Sequence, residues 1–144
     1  MPWFTAANCS ILSYPATPKP AYFAVKNALR PALFSARIPK FDWRAGERFT
    51  AGIWLLNDAP TAAAGDVRVT LCIGDTEILL LDWHGAHTEA NRNLEGAQVC
   101  CVLPDVDAAE MTLKLTATGG LSSEYRLLYY PAVQKKKQPK LLNQ

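Results

Sequence analysis

The sequence predicts an all-β protein: an antiparallel β-sandwich of about seven strands, preceded by one N-terminal helix. Apolar residues recur with a helical period between Pro18 and Pro31, and after Pro31 the period changes to two. A period of two is the spacing of a strand that buries one face. Short alternating segments then follow one another with turn residues between them and no second helical pattern, which is typical of two packed antiparallel sheets.

The predicted helix begins at Pro18 and ends before Pro31. Thr17 can cap it, and Pro18 suits the first helical position, where a missing N–H costs little. Pro31 ends it, because the residue before a proline is driven out of the helical region. One apolar stripe is formed by Tyr22, Val25 and Leu29. Phe23 lies off this stripe, so the helix is apolar on more than one side, a pattern that suits a helix buried between two bodies.

The first four predicted strands are 32–38, 48–57, 66–73 and 77–83. In the second, alternate apolar residues from Phe49 to Leu55 share one face, and in the third the alternation from Val67 to Ile73 is the cleanest of the chain. The fourth is a short apolar run. Residues 43–47 and 74–75 are predicted to be turns, and the polar segment 85–93 is predicted to be a loop.

The last three predicted strands are 97–103, 111–118 and 123–130. Pro104 ends the fifth strand of the sandwich, and alternate apolar residues mark the sixth. Gly119 and Gly120 form a turn that pairs the sixth strand with the seventh as a final hairpin. The Cys–Trp–Cys core of antibody domains is absent, so the sandwich is predicted to share at most the topology of an immunoglobulin domain.

Three segments follow from this pattern: an N-terminal part, 1–31, a sandwich domain, 32–133, and a basic tail, 134–144, predicted to be disordered. The formal net charge of the 144 residues is +2. Four lysines lie in the tail: Lys135, Lys136, Lys137 and Lys140. Without them the body is near neutral or slightly acidic, so it lacks the field that recruits nucleic acid.

The four cysteines, Cys9, Cys72, Cys100 and Cys101, do not have the spacing of a disulfide scaffold. Neighbours on a strand point to opposite faces, so Cys100 and Cys101 are poorly placed to bridge each other, and buried free thiols are expected. No apolar run approaches the roughly 20 residues that a membrane-spanning helix needs. These features predict no membrane partner and leave the cellular compartment open.

No catalytic constellation stands out in the sequence. It has no nucleophile elbow, no phosphate-binding loop and no Cys-x-x-Cys pair. The thirteen acidic residues lie mostly at turns or at outward strand positions, where nothing suggests the burial that shifts a carboxyl pKa. We therefore expect a chain that is not an enzyme and that needs no cofactor.

The segment 82–89 is the densest polar cluster. It carries Asp82, His84, His87 and Glu89. Two histidines three residues apart beside carboxylates are of the types that hold a metal ion, but the spacing matches no established ligand motif. A polar loop at the end of the sandwich is the favoured interpretation, and no metal site is predicted.

Two of the four tryptophans are candidates for sugar binding, because exposed aromatic rings stack on pyranose faces. Trp43 lies in a predicted turn and Trp83 at a predicted strand end, next to His84. These three residues form the predicted carbohydrate-binding set. Packing in a core or against a neighbouring body is the alternative fate of such rings.

The segment from Pro18 to Pro31, "PKPAYFAVKNALRP", resembles the last barrel helix of glycoside hydrolase family 2 enzymes of the β-mannosidase and exo-glucosaminidase types. In these enzymes a run of the form Y-x-G-x-P-K-P-A-Y-Y-A-x-K-x-A-x-x-P closes the (β/α)₈ barrel before an immunoglobulin-like sandwich begins. The matching residues are Tyr14, Pro18, Lys19, Pro20, Ala21, Tyr22, Ala24, Lys26, Ala28 and Pro31. Residues 45–58, "AGERFTAGIWLLND", are similar to the second strand of that sandwich.

This resemblance implies that the chain is a C-terminal piece of a larger glycosidase. Residues 1–31 would be a remnant of the preceding barrel, and the two catalytic glutamates of the family would lie upstream. The implied role is a non-catalytic accessory sandwich that supports the catalytic barrel of the same parent chain. A carbohydrate-binding module is the alternative, and a homodimer through the uncovered helix is a further expectation.

Overall fold

The structure is a computed structural model that describes residues 10–132. The predicted tail, residues 134–144, and Cys9 therefore lie outside the described residues. The chain divides into two compact units, Met1–Pro31 and Ala32–Gln144.

The first unit contains a two-stranded ribbon and one helix. Strands β1 (Leu12–Ser13) and β2 (Thr17–Pro18) pair antiparallel, and helix α1 spans Pro20–Ala28. The helix begins with a proline in its first turn, and the residue at its N-cap, Lys19, makes no side-chain cap. The prediction that Thr17 caps the helix is therefore wrong. Thr17 is used as a strand residue, and Pro20 rather than Pro18 takes the helical start.

Helix α1 is short and uncovered. None of its nine residues is buried, and Phe23 is 54% exposed. Val25 and the C-cap residue Leu29 are also exposed. A nine-residue helix is below the length of about 12–15 residues at which helices become even marginally stable in water. The expectation that a second body covers this helix stays a prediction.

The second unit is a sandwich of two sheets, which confirms the predicted fold class. The five-stranded sheet has the order β4-β10-β9-β6-β7, and the three-stranded sheet has the order β3-β5-β8. The strands are β3 (Ala32–Arg37), β4 (Asp42–Arg44), β5 (Arg48–Asn57), β6 (Ala63–Ile73), β7 (Thr76–Thr88), β8 (Leu94–Val102), β9 (Glu110–Ala117) and β10 (Ser123–Tyr130). All pairings within these two sheets are antiparallel except that of β4 with β10.

The predicted strands agree with the structure at seven places, with two corrections. Residues 43 and 44 were expected in a turn, but they belong to β4, which pairs with β10 in parallel. The segment 85–88, expected in a loop, continues β7, because Ala63, Ala64 and Gly65 of β6 extend the pairing to Thr88. Hydrogen bonding to a neighbouring strand therefore outweighs the polar composition of this segment.

The core fills the space between the sheets with the inward residues that the alternation predicts. Its largest fully buried members are Phe34, Phe49, Ile53, Leu55, Val67, Leu71, Ile73, Leu103, Met111, Leu113, Leu115 and Tyr129. Every residue of this core belongs to the second unit. The sandwich therefore has a hydrophobic centre of its own.

Polar contacts close one side of the sandwich, along edge strand β3. The Phe34 N–H donates to the carbonyl of Leu121 at 2.9 Å, and the Ala36 N–H donates to the Tyr125 hydroxyl at 3.1 Å. The same hydroxyl lies 3.0 Å from Oγ of Ser35. These bonds satisfy groups that an edge strand would otherwise leave open to pairing with another chain.

An aromatic contact closes the opposite side, where β7 approaches β8. Trp83 on β7 packs edge-on against Phe34 on β3, with ring centroids 5.7 Å apart. Its indole also lies against the backbone of Gly96 on β8. A Cβ atom at residue 96 would come within 2.4 Å of the Trp83 ring and 2.8 Å of the Ile53 carbonyl oxygen. Only glycine fits at this contact.

A buried tyrosine fixes the loop between β8 and β9. The Tyr129 side chain is 1% exposed. Its hydroxyl donates to the carbonyl of Pro104 and accepts a bond from the Val106 N–H. Without this hydroxyl, the Pro104 carbonyl and the Val106 N–H would be shielded from water with no hydrogen-bond partner. The hydroxyl therefore fixes the loop to the core.

The described cysteines are free thiols in this structure: Cys72, Cys100 and Cys101. Burial raises the pKa of Cys101, and the neighbouring Cys100 adds to this shift. Cys100 is exposed on the opposite face of β8, so the expectation of a buried thiol is wrong there. Within residues 10–132 the only helix is too short to cross a membrane.

We expect Gly96→Ala to destabilise the sandwich by about 1–3 kcal/mol, because the added methyl group forces the Trp83 ring or the β5 backbone to move. Gly52→Ala is the matched control. Its Cβ would meet its nearest neighbour, Trp54 Nε1, at an ordinary 3.5 Å, so a change within about 0.5 kcal/mol is expected. Urea unfolding followed by tryptophan fluorescence measures both. Equal losses in the two variants would contradict the proposed contact.

Tyr129→Phe should cost about 1–3 kcal/mol, because it keeps the buried ring but leaves the Pro104 carbonyl and the Val106 N–H without their partner. Tyr130→Phe, on the next residue of the same strand, serves as the control, since the Tyr130 side chain is partly exposed. Thermal unfolding of the two variants provides the comparison. A Tyr129→Phe protein as stable as the control would show that the hydroxyl does not hold the loop.

Candidate functional site

Trp43 is placed inside the sandwich, so the prediction that it is exposed is wrong. The side chain is 3% exposed and lies 4.9 Å from the Phe49 ring, centroid to centroid. Its indole N–H donates to the carbonyl of Lys40, whose ammonium group lies over the ring. Pairing of β4 with Tyr129 and its neighbours on β10 turns this residue inward. A buried ring cannot stack on a sugar.

Trp83 is half-buried at the seam between the sheets. The ring packs against the Phe34 ring and against the backbone of Gly96. Packing within the sandwich therefore covers part of this side chain, and its role in sugar binding stays a prediction. Its neighbour His84 points the other way, as strand alternation requires, and its side chain is 71% exposed.

His84 lies between two carboxylates on the outer face of the five-stranded sheet. Its Nδ1 is 3.6 Å from a carboxylate oxygen of Asp66 on β6, and its Nε2 is 3.6 Å from a carboxylate oxygen of Asp82 on its own strand. Either contact becomes an ion pair when the imidazole is protonated. All three side chains are at least one-third exposed, so water screens these interactions strongly.

A β-bulge brings these residues together. The register of β6 and β7 shifts between Gly65 and Val67, so that Asp66 faces both His84 and Gly85. Gly85 has a φ of 67°, which favours glycine. Its N–H donates to the carboxylate of Asp66 at 2.7 Å. The Asp66 carboxylate thus stabilises the bulge, and the bulge places the His84 ring next to this carboxylate.

Arg68 completes the cluster from β6. Its guanidinium donates to the carboxylate of Asp82 at 2.8 Å. This hydrogen bond lowers the pKa of Asp82, with a smaller contribution from charge attraction, and it raises the pKa of Arg68. The N–H of Gly85 lowers the pKa of Asp66, and His84 adds to the shift. Both carboxylates are therefore held in the charged form.

A shallow groove of about 330 Å³ lies beside this cluster. It is lined by Asp66, Val67, Arg68, Asp82, Thr116, Ala117 and Thr118. Thr118 is tied to the bulge, since its Oγ1 accepts the N–H of Asp66 at 3.2 Å. The groove therefore combines carboxylate, guanidinium and hydroxyl groups with a surface that is mostly apolar. Such a set can exchange hydrogen bonds with a polar ligand.

The remaining members of segment 82–89 do not join this cluster. His87 pairs with Ala64 farther along β7, and Glu89 contributes its backbone carbonyl to the amide of Asn57. Among residues 10–132, no three histidine, cysteine or acidic side chains are grouped so that they could hold a metal ion. The segment is an edge strand with one local ion-pair cluster, rather than a loop.

Sequence reasoning found His84 and Asp82 but missed Asp66, Arg68 and the threonines of the groove. In the sequence these residues are far apart: Arg68 lies 14 residues from Asp82, and Thr118 lies 52 residues from Asp66. The alternation of the sequence indicates the outward polar positions of β6 and β9. The bulge that brings Asp66 next to His84 depends on how β6 pairs with β7, which the sequence does not show. Gly85, inside a polar stretch, was the local signal that could have indicated a bulge.

The lowered pKa of Asp82 gives a direct test of the cluster. In Arg68→Gln the pKa of Asp82 should rise toward its ordinary value near 3.8, because the largest stabilising bond is lost. A carboxylate with a depressed folded-state pKa stabilises the fold above its ordinary pKa, and this contribution disappears as the pH falls through the folded-state value. The variant should therefore show a weaker loss of stability on acidification below about pH 4.

Carbon-detected NMR titration of the carboxyl groups measures this shift. Arg126→Gln is the matched control, since Arg126 lies on the same face of the sheet but pairs with Glu124. An unchanged Asp82 titration in Arg68→Gln, or an equal change in both variants, would contradict the assigned cause.

Comparison with known proteins gives a structural likeness without a sequence match. No model of a known protein family matches the chain, and no curated protein matches it by sequence. Among solved structures, a β-D-mannosidase from Dictyoglomus thermophilum superposes with a TM-score of 0.60 and 18% identity. The match covers 85% of this chain and 14% of the mannosidase, so the chain spans a small part of that enzyme's length.

Two further similar structures are more distant. A β-glucosidase from Listeria innocua has a TM-score of 0.46 and 8% identity over 71% of this chain and 16% of the glucosidase. An alkylpurine DNA glycosylase from Pseudomonas fluorescens has a TM-score of 0.48 and 10% identity over 69% of this chain and 30% of the glycosylase. The superposition on the mannosidase, at 18% identity, shows the fold alone: a β-sandwich that also occurs in that enzyme.

Proposed function

We propose that this chain is a non-catalytic accessory β-sandwich of a glycosidase of the family 2 type, in which it supports the catalytic barrel. The observation that carries the proposal is the superposition on part of a β-mannosidase over 85% of the chain. The motif from Pro18 to Pro31 supports it independently, because it resembles the last barrel helix of that family. Helix followed by sandwich is also the order in those enzymes.

The uncovered surface of the first unit favours a supporting role. Helix α1 buries none of its side chains, and three large apolar residues, Phe23, Val25 and Leu29, are exposed. Tyr14 of the preceding segment is 88% exposed. Clusters of exposed large apolar side chains on a soluble protein mark surfaces that another body covers. A catalytic barrel in the same parent chain is the partner that the proposal assigns.

The carboxylates of Asp66 and Asp82, on the outer face of the five-stranded sheet, argue against a catalytic role. A glycosidase needs one carboxyl group whose pKa is raised so that it can donate a proton to the leaving oxygen. The Asp66 and Asp82 pair has the opposite property, because hydrogen bonds lower the pKa of both groups. Neither residue is suited to act as the general acid, which supports a chain without glycosidase activity of its own.

The size of the natural protein tests this proposal. An antibody against this chain should detect a protein much longer than 144 residues in its source cells, and peptides from that protein should include barrel sequence N-terminal to the chain. The long protein should hydrolyse aryl-glycosides, whereas the purified chain should not. A natural protein no longer than this chain, or hydrolysis by the chain alone, would overturn the proposal.

A second candidate function is carbohydrate binding, favoured by the groove between β6, β7 and β9. Its polar lining includes Arg68, Asp82, Thr116 and Thr118, which are the group types that bond sugar hydroxyls. Trp43 is buried and cannot stack on a sugar, and Trp83 packs partly against Phe34. Any sugar would therefore be held by hydrogen bonds with little stacking, which predicts weak binding.

Amide NMR titration with manno-, chito- and β-gluco-oligosaccharides at millimolar concentration tests this second candidate. Shifts should be confined to the groove residues, and Arg68→Ala should weaken binding about tenfold or more, the loss expected for a bond to a charged group. Arg126→Ala, outside the groove lining, should bind as the unaltered chain does. Absence of shifts at millimolar sugar would exclude the groove as a binding site.

A further inference from the structure

We draw no further inference here: the strongest candidate, the outer face of the three-stranded sheet around Leu33, Trp54 and Leu56, carries nothing, because no part of the described structure shows what covers it.

Discussion

The contact between the Trp83 ring and the bare backbone of Gly96 is the constraint on which the closure of this sandwich depends. The two sheets have five and three strands, so the larger sheet extends past the smaller one. At the β7–β8 side a large ring from the larger sheet reaches the backbone of the smaller sheet, and no side chain stands between them. Because Trp83 also meets Phe34 on the far strand of the smaller sheet, one ring links β7, β8 and β3.

Tyrosine hydroxyls close the sandwich at edges that the Trp83 ring does not reach. Tyr125 satisfies a backbone N–H of edge strand β3, and Tyr129 holds the loop that leads into β9. Each tyrosine places its ring against the core and its hydroxyl at a backbone group, which combines apolar burial with a satisfied hydrogen bond. The sandwich is thus closed by side chains at its edges as well as by the apolar layer between the sheets.

The sequence was most informative where a strand buries one face along its whole length. Strands β5 and β10 were predicted with the bounds that the structure has, because their inward residues alternate without interruption. Strand β4 was missed, since three residues are too few to show a period. Its pairing with β10, more than 80 residues later, is what makes Trp43 a core residue. The bulge at Asp66 could not be predicted for a related reason. It is a shift in the register of β6 against β7, and the sequence of one strand does not show how it pairs with another.

The outer face of the five-stranded sheet and the surface of helix α1 differ in the kind of side chain that they expose. The outer face of the five-stranded sheet carries opposite charges on neighbouring strands, such as Arg68 beside Asp82 and Lys114 opposite Glu124. Water solvates such a face well. Helix α1 is the reverse case: it adds nothing to the buried core, is too short to be stable by propensity, and exposes apolar side chains.

A helix with these properties gains stability only by packing against something else, since tertiary contacts supply most helical stability in proteins. Among residues 10–132, all buried core residues lie beyond Pro31, so the helix contributes nothing to this core. The core of the sandwich therefore gives no physical reason for Phe23 and Leu29 to be apolar. A second body that covers the helix would give such a reason, and in the proposed function this body is the catalytic barrel whose last helix the Pro18–Pro31 motif resembles.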